Sequence, residues 1–171
     1  LNSDVERPMS AAALNFAMGA DQIVFLTAQK DIAKDVPFGD DVYPVGMVCR
    51  VRQLLRQPGG HSVRVMAEGL ARGRIAEVTA DKPCLFADVD PMPDAPERST
   101  VKTEALCRRC SALFSQYAEA SGNIPQETVL NIAANTDAAY VSDYVAQNIY
   151  LKPAEKQQLL EERRPSRRLG A

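Results

Sequence analysis

Few residues in this 171-residue chain combine the type and the spacing that chemistry requires, and the lone histidine is the first to weigh. A Ser-His-Asp or Cys-His site would have to use His61, which follows Gln57-Pro58-Gly59-Gly60 and precedes Ser62. That run is turn chemistry, and a turn is a poor platform for holding a nucleophile, its base and the group that orients the base. His61 therefore reads as an exposed turn residue. The second candidate is Cys107-Arg108-Arg109-Cys110, the one Cys-x-x-Cys among Cys49, Cys84, Cys107 and Cys110. Its spacing puts both thiols on one face of a helix. Structural zinc normally takes a second ligand pair, which the sequence does not supply. The expectation is reduced thiols, with no metal and no cofactor. The carboxylate pairs Asp40-Asp41 and Asp88-Asp90 fall in loops or at strand edges, and no GxxxxGK[ST] cradle occurs. By itself the chain reads as non-catalytic.

Composition narrows the remaining classes. An apolar share of 46% and a charged share of 25% are ordinary for a globular protein, and a net charge of −2 gives no global attraction for nucleic acid or anionic lipid. No apolar run approaches the ~20 residues of a membrane span, so no membrane partner is expected. The opening LNSDVERPMS lacks both a starting Met and the basic-then-apolar order of a signal peptide. The chain reads as a trimmed or excised piece, with a cytoplasmic location.

The elements that would position a binding surface change character near the middle. Residues 1–90 read as mainly strand with one helix. Ser10 can cap AAALNFAMG, with Gly19 as the stop, and the apolar run IVFLT from Ile23 reads as a strand buried on both faces. MVCRVRQLL alternates, sending Met47, Cys49 and Val51 one way and Arg50 and Arg52 the other. Val63, Val65 and Ala67 form the inner row of a returning strand, which breaks at Glu68-Gly69. Gly69 permits a bulge there, and Glu68 is expected to pair with Arg72 or Arg74. LFADV from Leu85 is a further strand. Pro91, Pro93 and Pro96 mark residues 91–97 as a linker, and residues 98–171 read as a small antiparallel helical bundle. Ser99 or Thr100 caps its first helix, whose inner face is expected to be Leu106, Cys110, Leu113 and Tyr117, and Gly122 stops it. Pro125 opens the next helix with Val129, Ile132 and Ala133 inward; Asp137 caps a third, Pro153 opens a fourth, and RRPSRRLGA ends the chain as a basic tail.

Two binding surfaces follow. Arg50, Arg52, Arg56, Arg64, Arg72 and Arg74 could form a basic stripe for RNA, although few aromatic residues interleave with them to stack on bases. The alternative is a polypeptide surface using Met9, Met18, Phe38, Leu54, Leu55 and Met66.

DDVYPVGMVCRVRQLLRQPGGHSVRVMAEGLARGRI, from Asp40 to Ile75, closely resembles the substrate-binding amino-terminal domain of Lon, the ATP-dependent bacterial protease family. VERPMSAAALNFAM and IVFLTAQKD before it, and IPQETVLNIA and DAAYVSDYVAQNIYLKPAEKQQLLE after it, are similar to the same family in the same order. The resemblance implies an α+β fold: a β-rich, PUA-like pseudo-barrel lobe followed by the helical bundle. It implies recognition of unfolded or degron-bearing substrates on the β-rich lobe or in a cleft between lobes, at Arg7, Met9, Leu54, Leu55 and Met66. ATPase and Ser-Lys protease domains of the same chain would be partners within a hexamer, with the isolated domain a monomer or dimer. RNA or polyanion binding, or a stand-alone adaptor, is the alternative. Two departures stand out: the family's first proline-bearing strand is expected to be missing, which would leave a sheet edge open, and Pro165 stands where a long helix usually develops. The chain thus reads as a fragment or a divergent stand-alone domain.

Overall fold

The computed structural model describes residues 1–56 and 62–171, so His61 and its turn lie outside the described residues. The chain forms two compact units, Leu1–Pro93 and Asp94–Ala171. Together they make the α+β fold that the sequence implies. No helix among the described residues is long and apolar enough to cross a membrane.

The first unit contains β1 (Asn2–Val5), α1 (Pro8–Met18), β2 (Ile23–Leu26), β3 (Val45–Arg56), β4 (Val63–Ala80) and β5 (Phe86–Pro91). All pairings are antiparallel, in the order β1-β4-β3-β2, with β5 also on β4. Strand β4 is the spine. It pairs with β3 from Val63 to Arg74, with β1 near its start and with β5 near its end. Glu68-Gly69 does not divide two strands; it bends one. Cys49 faces Gly69 while Val48 faces Ala71, so Leu70 is the extra residue of a bulge. A second register shift lies between Val51 and Gln53, and beyond it Leu54 packs on the core formed by Leu14, Cys49, Val51, Val65 and Ala67. Leu55 is left half exposed.

Two glycines control how closely the strands approach. Gly46 and Gly73 face each other across β3 and β4. A β-carbon at Gly46 would lie 2.3 Å from the Leu26 carbonyl oxygen and 2.8 Å from Cζ of Phe25. At Gly73 it would lie 2.5 Å from Val89 Cγ1 and 3.2 Å from Cε2 of Phe25. The Phe25 ring thus occupies the space that two side chains would fill.

Several details differ from the sequence reading. A short strand not read from sequence, β1, pairs residue for residue with β4 from Asn2↔Met66 to Val5↔Val63; its NSDV is not the family's proline-bearing strand. Helix α1 starts two residues before Ser10, with Pro8 in its first turn, so Arg7 and not Ser10 is the cap residue, without a side-chain cap bond. Strand β2 is half buried along its whole length, because it is the last strand on its side of the sheet. Glu68 pairs with Arg52 on the neighbouring strand instead of Arg72 or Arg74, since antiparallel pairing brings cross-strand neighbours closer than residues four or six along one strand.

The second unit contains α2 (Val101–Ser121), α3 (Gln126–Ala133), α4 (Ala138–Asn148), α5 (Pro153–Glu161) and α6 (Pro165–Arg168). Thr100 and Asp137 cap as expected: the Thr100 hydroxyl accepts from Thr103 N at 3.1 Å and an Asp137 carboxylate oxygen accepts from Ala139 N at 2.8 Å. Gly122 takes the left-handed conformation that ends α2, with φ 67°. The buried face of α2 is Cys107, Phe114 and Ala118, one residue along from the expected stripe, while Leu113 and Tyr117 are exposed. Both rows have the same helical spacing, and the bulkier Phe114 takes the interior with Ile132 and Val141. Ala133 is also exposed, because Val129 and Ile132 already fill the inner face of α3.

The basic tail is folded. Arg168 is buried, donating to Asp94 Oδ1 at 2.7 Å and Oδ2 at 3.0 Å, to Ser142 Oγ at 3.2 Å and to the Glu162 carbonyl at 2.9 Å. Its Nε also lies 3.1 Å from Asp143 Oδ1. Ala95 N donates to the Arg163 carbonyl at 2.8 Å, and Glu97 accepts from Ser166 N and Oγ at 2.9 and 2.8 Å. Residues 94–97 are therefore bonded to the end of the chain.

Gly46→Ala should destabilise the first unit by about 1–3 kcal/mol, the usual range for overpacking. Gly69→Ala, whose β-carbon would meet Met47 at an ordinary 3.5 Å, should be neutral or slightly stabilising. Urea unfolding of the two variants against the parent chain checks the contrast; equal losses would show that the glycine pair is not the tight point.

Candidate functional site

Alternation along β3 and β4 sorts side chains to two faces. Val65 and Ala67 go into the core, so Arg64, Met66 and Glu68 go outward. Past its register shift, β3 sends Leu54 inward and Leu55 outward. Met66 faces Gln53, and Leu55 faces Arg64, which places the two large apolar side chains on diagonal positions of one outer face. They are 46% and 50% exposed. Ion pairs border them. Arg64 grips Asp4 of β1 through Nε at 2.8 Å and Nη2 at 3.0 Å, and Arg52 donates from both Nε and Nη2 to Glu68. Asp4 and its charge hold the Arg64 guanidinium's pKa above the ordinary value. Two arginines of the expected basic stripe are therefore engaged with carboxylates.

Arg7 and Met9, named with these residues on sequence, lie elsewhere. Met9 is a half-buried residue of α1. Arg7 faces inward on a loop: its Nη1 donates to Gln29 Oε1 and, at 2.9 Å, to the Lys34 carbonyl, while Nη2 donates to the Ile32 carbonyl at 2.8 Å. This guanidinium is a loop anchor. The loop it holds presents Ile32, Val36 and Phe38 at 85%, 53% and 51% exposure. Of these the sequence singled out only Phe38. Ile32 and Val36 were legible in one respect: they fit neither a helical nor an alternating period, and apolar residues outside a period have no face to bury.

The helical unit has its own apolar groove of about 540 Å³, lined by Leu106, Cys110, Leu113 and Tyr117 of α2 and by Val145 and Ile149 of α4. This is the stripe that sequence assigned to the interior. Arg109 stands at its lining, and the Tyr117 hydroxyl accepts from Tyr150 N at 3.1 Å.

Nothing among the described residues groups reactive side chains. No cluster of three or more His, Cys, Asp or Glu that could hold a metal is found there. The four cysteines are free thiols. Burial pushes each thiol's pKa up, with Asp137 and Glu104 adding to the effect at Cys107 and Cys107 adding to it at Cys110. Less thiolate at neutral pH means a weaker nucleophile. The geometry suits reversible docking of apolar side chains.

The family model for the ATP-dependent protease La (LON) substrate-binding domain matches residues 1–171. Lon protease of Heliobacterium modesticaldum is 35% identical over 161 residues, and Lon protease 1 of Bacillus subtilis is 33% identical over 161 residues. In both cases the match takes in 94% of this chain and 20% of the relative, so the chain spans about a fifth of the length of the curated relatives it matches. Among solved structures, the N-terminal domain of Mycobacterium avium complex Lon protease is similar with a TM-score of 0.74 and 21% identity, covering 99% of this chain and 86% of that one. The Lon N-terminal domain protein from Xanthomonas campestris follows at a TM-score of 0.57 and 15% identity, over 99% of this chain and 85% of that one. At these identities the structures attest the fold.

In the native chain at pH 8, iodoacetamide should modify all four thiols more slowly than free cysteine, with Cys110 ahead of Cys49, Cys84 and Cys107 because it alone is not fully buried. Denaturant should bring the four to a common rate. Peptide mapping by mass spectrometry reads the order, and a fast Cys107 would contradict the packing of α2.

Proposed function

Because this chain belongs to the ATP-dependent protease La (LON) substrate-binding domain family, we propose that it captures unfolded or degron-bearing polypeptide for a longer, cytoplasmic, Lon-type protease. Capture requires no covalent step within these residues. The ATPase and Ser-Lys protease activities implied by the resemblance are assigned to other parts of the longer chain, and its assembly to a hexamer.

The observation that carries this reading is the pair Leu55 and Met66, half exposed on one sheet face and ringed by satisfied ion pairs. Fully burying a large apolar side chain is worth about 1.5–3 kcal/mol, so completing the burial of a half-exposed one adds roughly 1 kcal/mol. Two such side chains give roughly 2 kcal/mol, or about 30-fold in affinity. A single copy thus binds weakly and indiscriminately, which suits a domain that must accept many sequences. Six copies on a ring would raise the avidity through effective concentration. Engagement of Arg52 and Arg64 by carboxylates supports polypeptide over RNA as the ligand, because those charges are already partnered.

Anisotropy titration with labelled, unfolded casein tests the reading. Met66→Asp should weaken binding about 10-fold while leaving the free energy of urea unfolding within about 0.5 kcal/mol of the parent, as a surface change does. Leu54→Asp, which drives a charge into the core, should unfold the first unit instead. Casein affinity should change little between about 50 and 200 mM salt, whereas a polyanion site would lose orders of magnitude. Unaltered binding by Met66→Asp would remove the sheet face as the docking surface.

A further inference from the structure

We propose that the loop between β2 and the 3₁₀ turn at Gly39–Asp41 is a second docking point, selective for extended polypeptide segments whose apolar residues are flanked by lysine or arginine. The proposal rests on the reading that this domain binds unfolded polypeptide, and it adds a preference of sequence to it.

Side chains satisfy several of the loop's backbone groups from within, while apolar side chains of the same loop stand in solvent. Arg7 holds the carbonyls of Ile32 and Lys34 from below. Gln29 Nε2 donates to the carbonyls of Asp31 and Lys34, both at 2.6 Å. Asp31 Oδ1 accepts from Ala33 N at 3.0 Å. At the far end Asp41 accepts from Phe38 N at 2.7 Å and pairs with Lys34 Nζ at 2.6 Å, while Lys30 Nζ donates to the Asp40 carbonyl at 2.8 Å. A β-carbon on Gly39 would sit 2.8 Å from Val78 Cγ2, so the loop is seated against β4 as well. A segment anchored at three places keeps its shape when free, and little ordering entropy is lost when a partner arrives. What it offers that partner is Ile32, Val36 and Phe38, each more than half exposed.

Charge selects the occupant. Four aspartates (31, 35, 40 and 41) against two lysines (30 and 34) and the anchoring Arg7 leave the loop with a net charge of −1. Lys34 is matched by Asp41, and its ammonium also lies 5.5 Å from the Phe38 ring centroid. Asp31, Asp35 and Asp40 are exposed in the same short segment as Ile32, Val36 and Phe38. An apolar segment bearing cations meets both features at once; one flanked by acids is repelled. Nucleic acid is disfavoured by the same sign.

The test uses the purified chain and three labelled peptides that share one apolar core and differ only in flanking Lys, Ser or Glu, read by anisotropy at about 50 mM salt. Affinity should fall from Lys to Ser to Glu, with the extremes about 10-fold apart. Asp35→Asn with Asp40→Asn should shrink that gap to about threefold or less, and Ile32→Ser with Phe38→Ser should abolish it, while Met66→Asp should leave it intact. Equal affinity for the Lys- and Glu-flanked peptides, or a gap untouched by the loop substitutions, overturns this docking point and leaves the sheet-face reading standing if Met66→Asp still weakens casein binding. Failure of every peptide and of casein to bind overturns both.

Discussion

Strands β2, β3, β4 and β5 come together at a pair of residues that have no side chain. Gly46 and Gly73 face each other on β3 and β4, and the Phe25 ring lies across both. A strand interior normally disfavours glycine, which packs nothing and loses the most entropy on ordering. Here the loss is offset because the absent β-carbons let β2 and β5 come in from either side. The Leu26 carbonyl stands where one β-carbon would be, and Val89 where the other would be. The bulge at Gly69–Ala71 lies just before Gly73 along β4 and re-aims the first half of the strand. Through that bend, Val65 and Ala67 reach the core while Met66 stays on the outer face. Which side chains face outward is thus set by backbone geometry, with no reactive group required to place them.

Two arginines show how the fold fixes irregular chain. Arg7 in the first unit and Arg168 in the second each spread a guanidinium over several acceptors that no helix or sheet would satisfy. Arg168 is the costlier, since it is buried among Asp94, Asp143 and Ser142, and only its full set of partners offsets the desolvation of its charge. Its carboxylate partners hold its pKa above the ordinary value even though burial alone would lower it. Arg7 works closer to solvent and stiffens a loop. In both cases a residue type that suggests ligand binding serves internal structure.

Much of the architecture was legible because it depends on period and punctuation. The alternating rows of β3 and β4, the Thr100 and Asp137 caps and the Gly122 stop each rest on a local rule, and each appears as read. The errors arose where two local rules competed. On α2, Leu106-Cys110-Leu113-Tyr117 and Cys107-Phe114-Ala118 share one spacing, and only the neighbours Ile132 and Val141 decide which row is inside. Ser10 is a good cap, yet Pro8 already has the φ that a first helical turn needs. RRPSRRLGA looks like a solvated tail until Asp94 and Asp143 are brought to Arg168 by the fold, contacts separated by 74 residues in the first case. For the site, Leu55 and Met66 could be named from sequence, but Leu54 could not be told from Leu55 without the register shift after Val51.

Among the described residues, the titratable groups with shifted pKa values serve internal contacts or are buried. A catalytic centre concentrates perturbed groups where they meet a substrate. Here the perturbed groups are buried thiols and a structural arginine, whereas the surface groups with shifted values, Asp41, Arg64 and Glu97, are each tied to a partner within the chain. Large apolar side chains also stand open to solvent, among them Leu55 and Met66 on the sheet, Ile32, Val36 and Phe38 on the loop, and Leu113 on the bundle. On the proposed reading, such a surface would tell unfolded from folded chains, because only the former expose runs of apolar side chains to meet it. Weak single contacts fit that role, since a domain that bound each segment tightly could not pass it on.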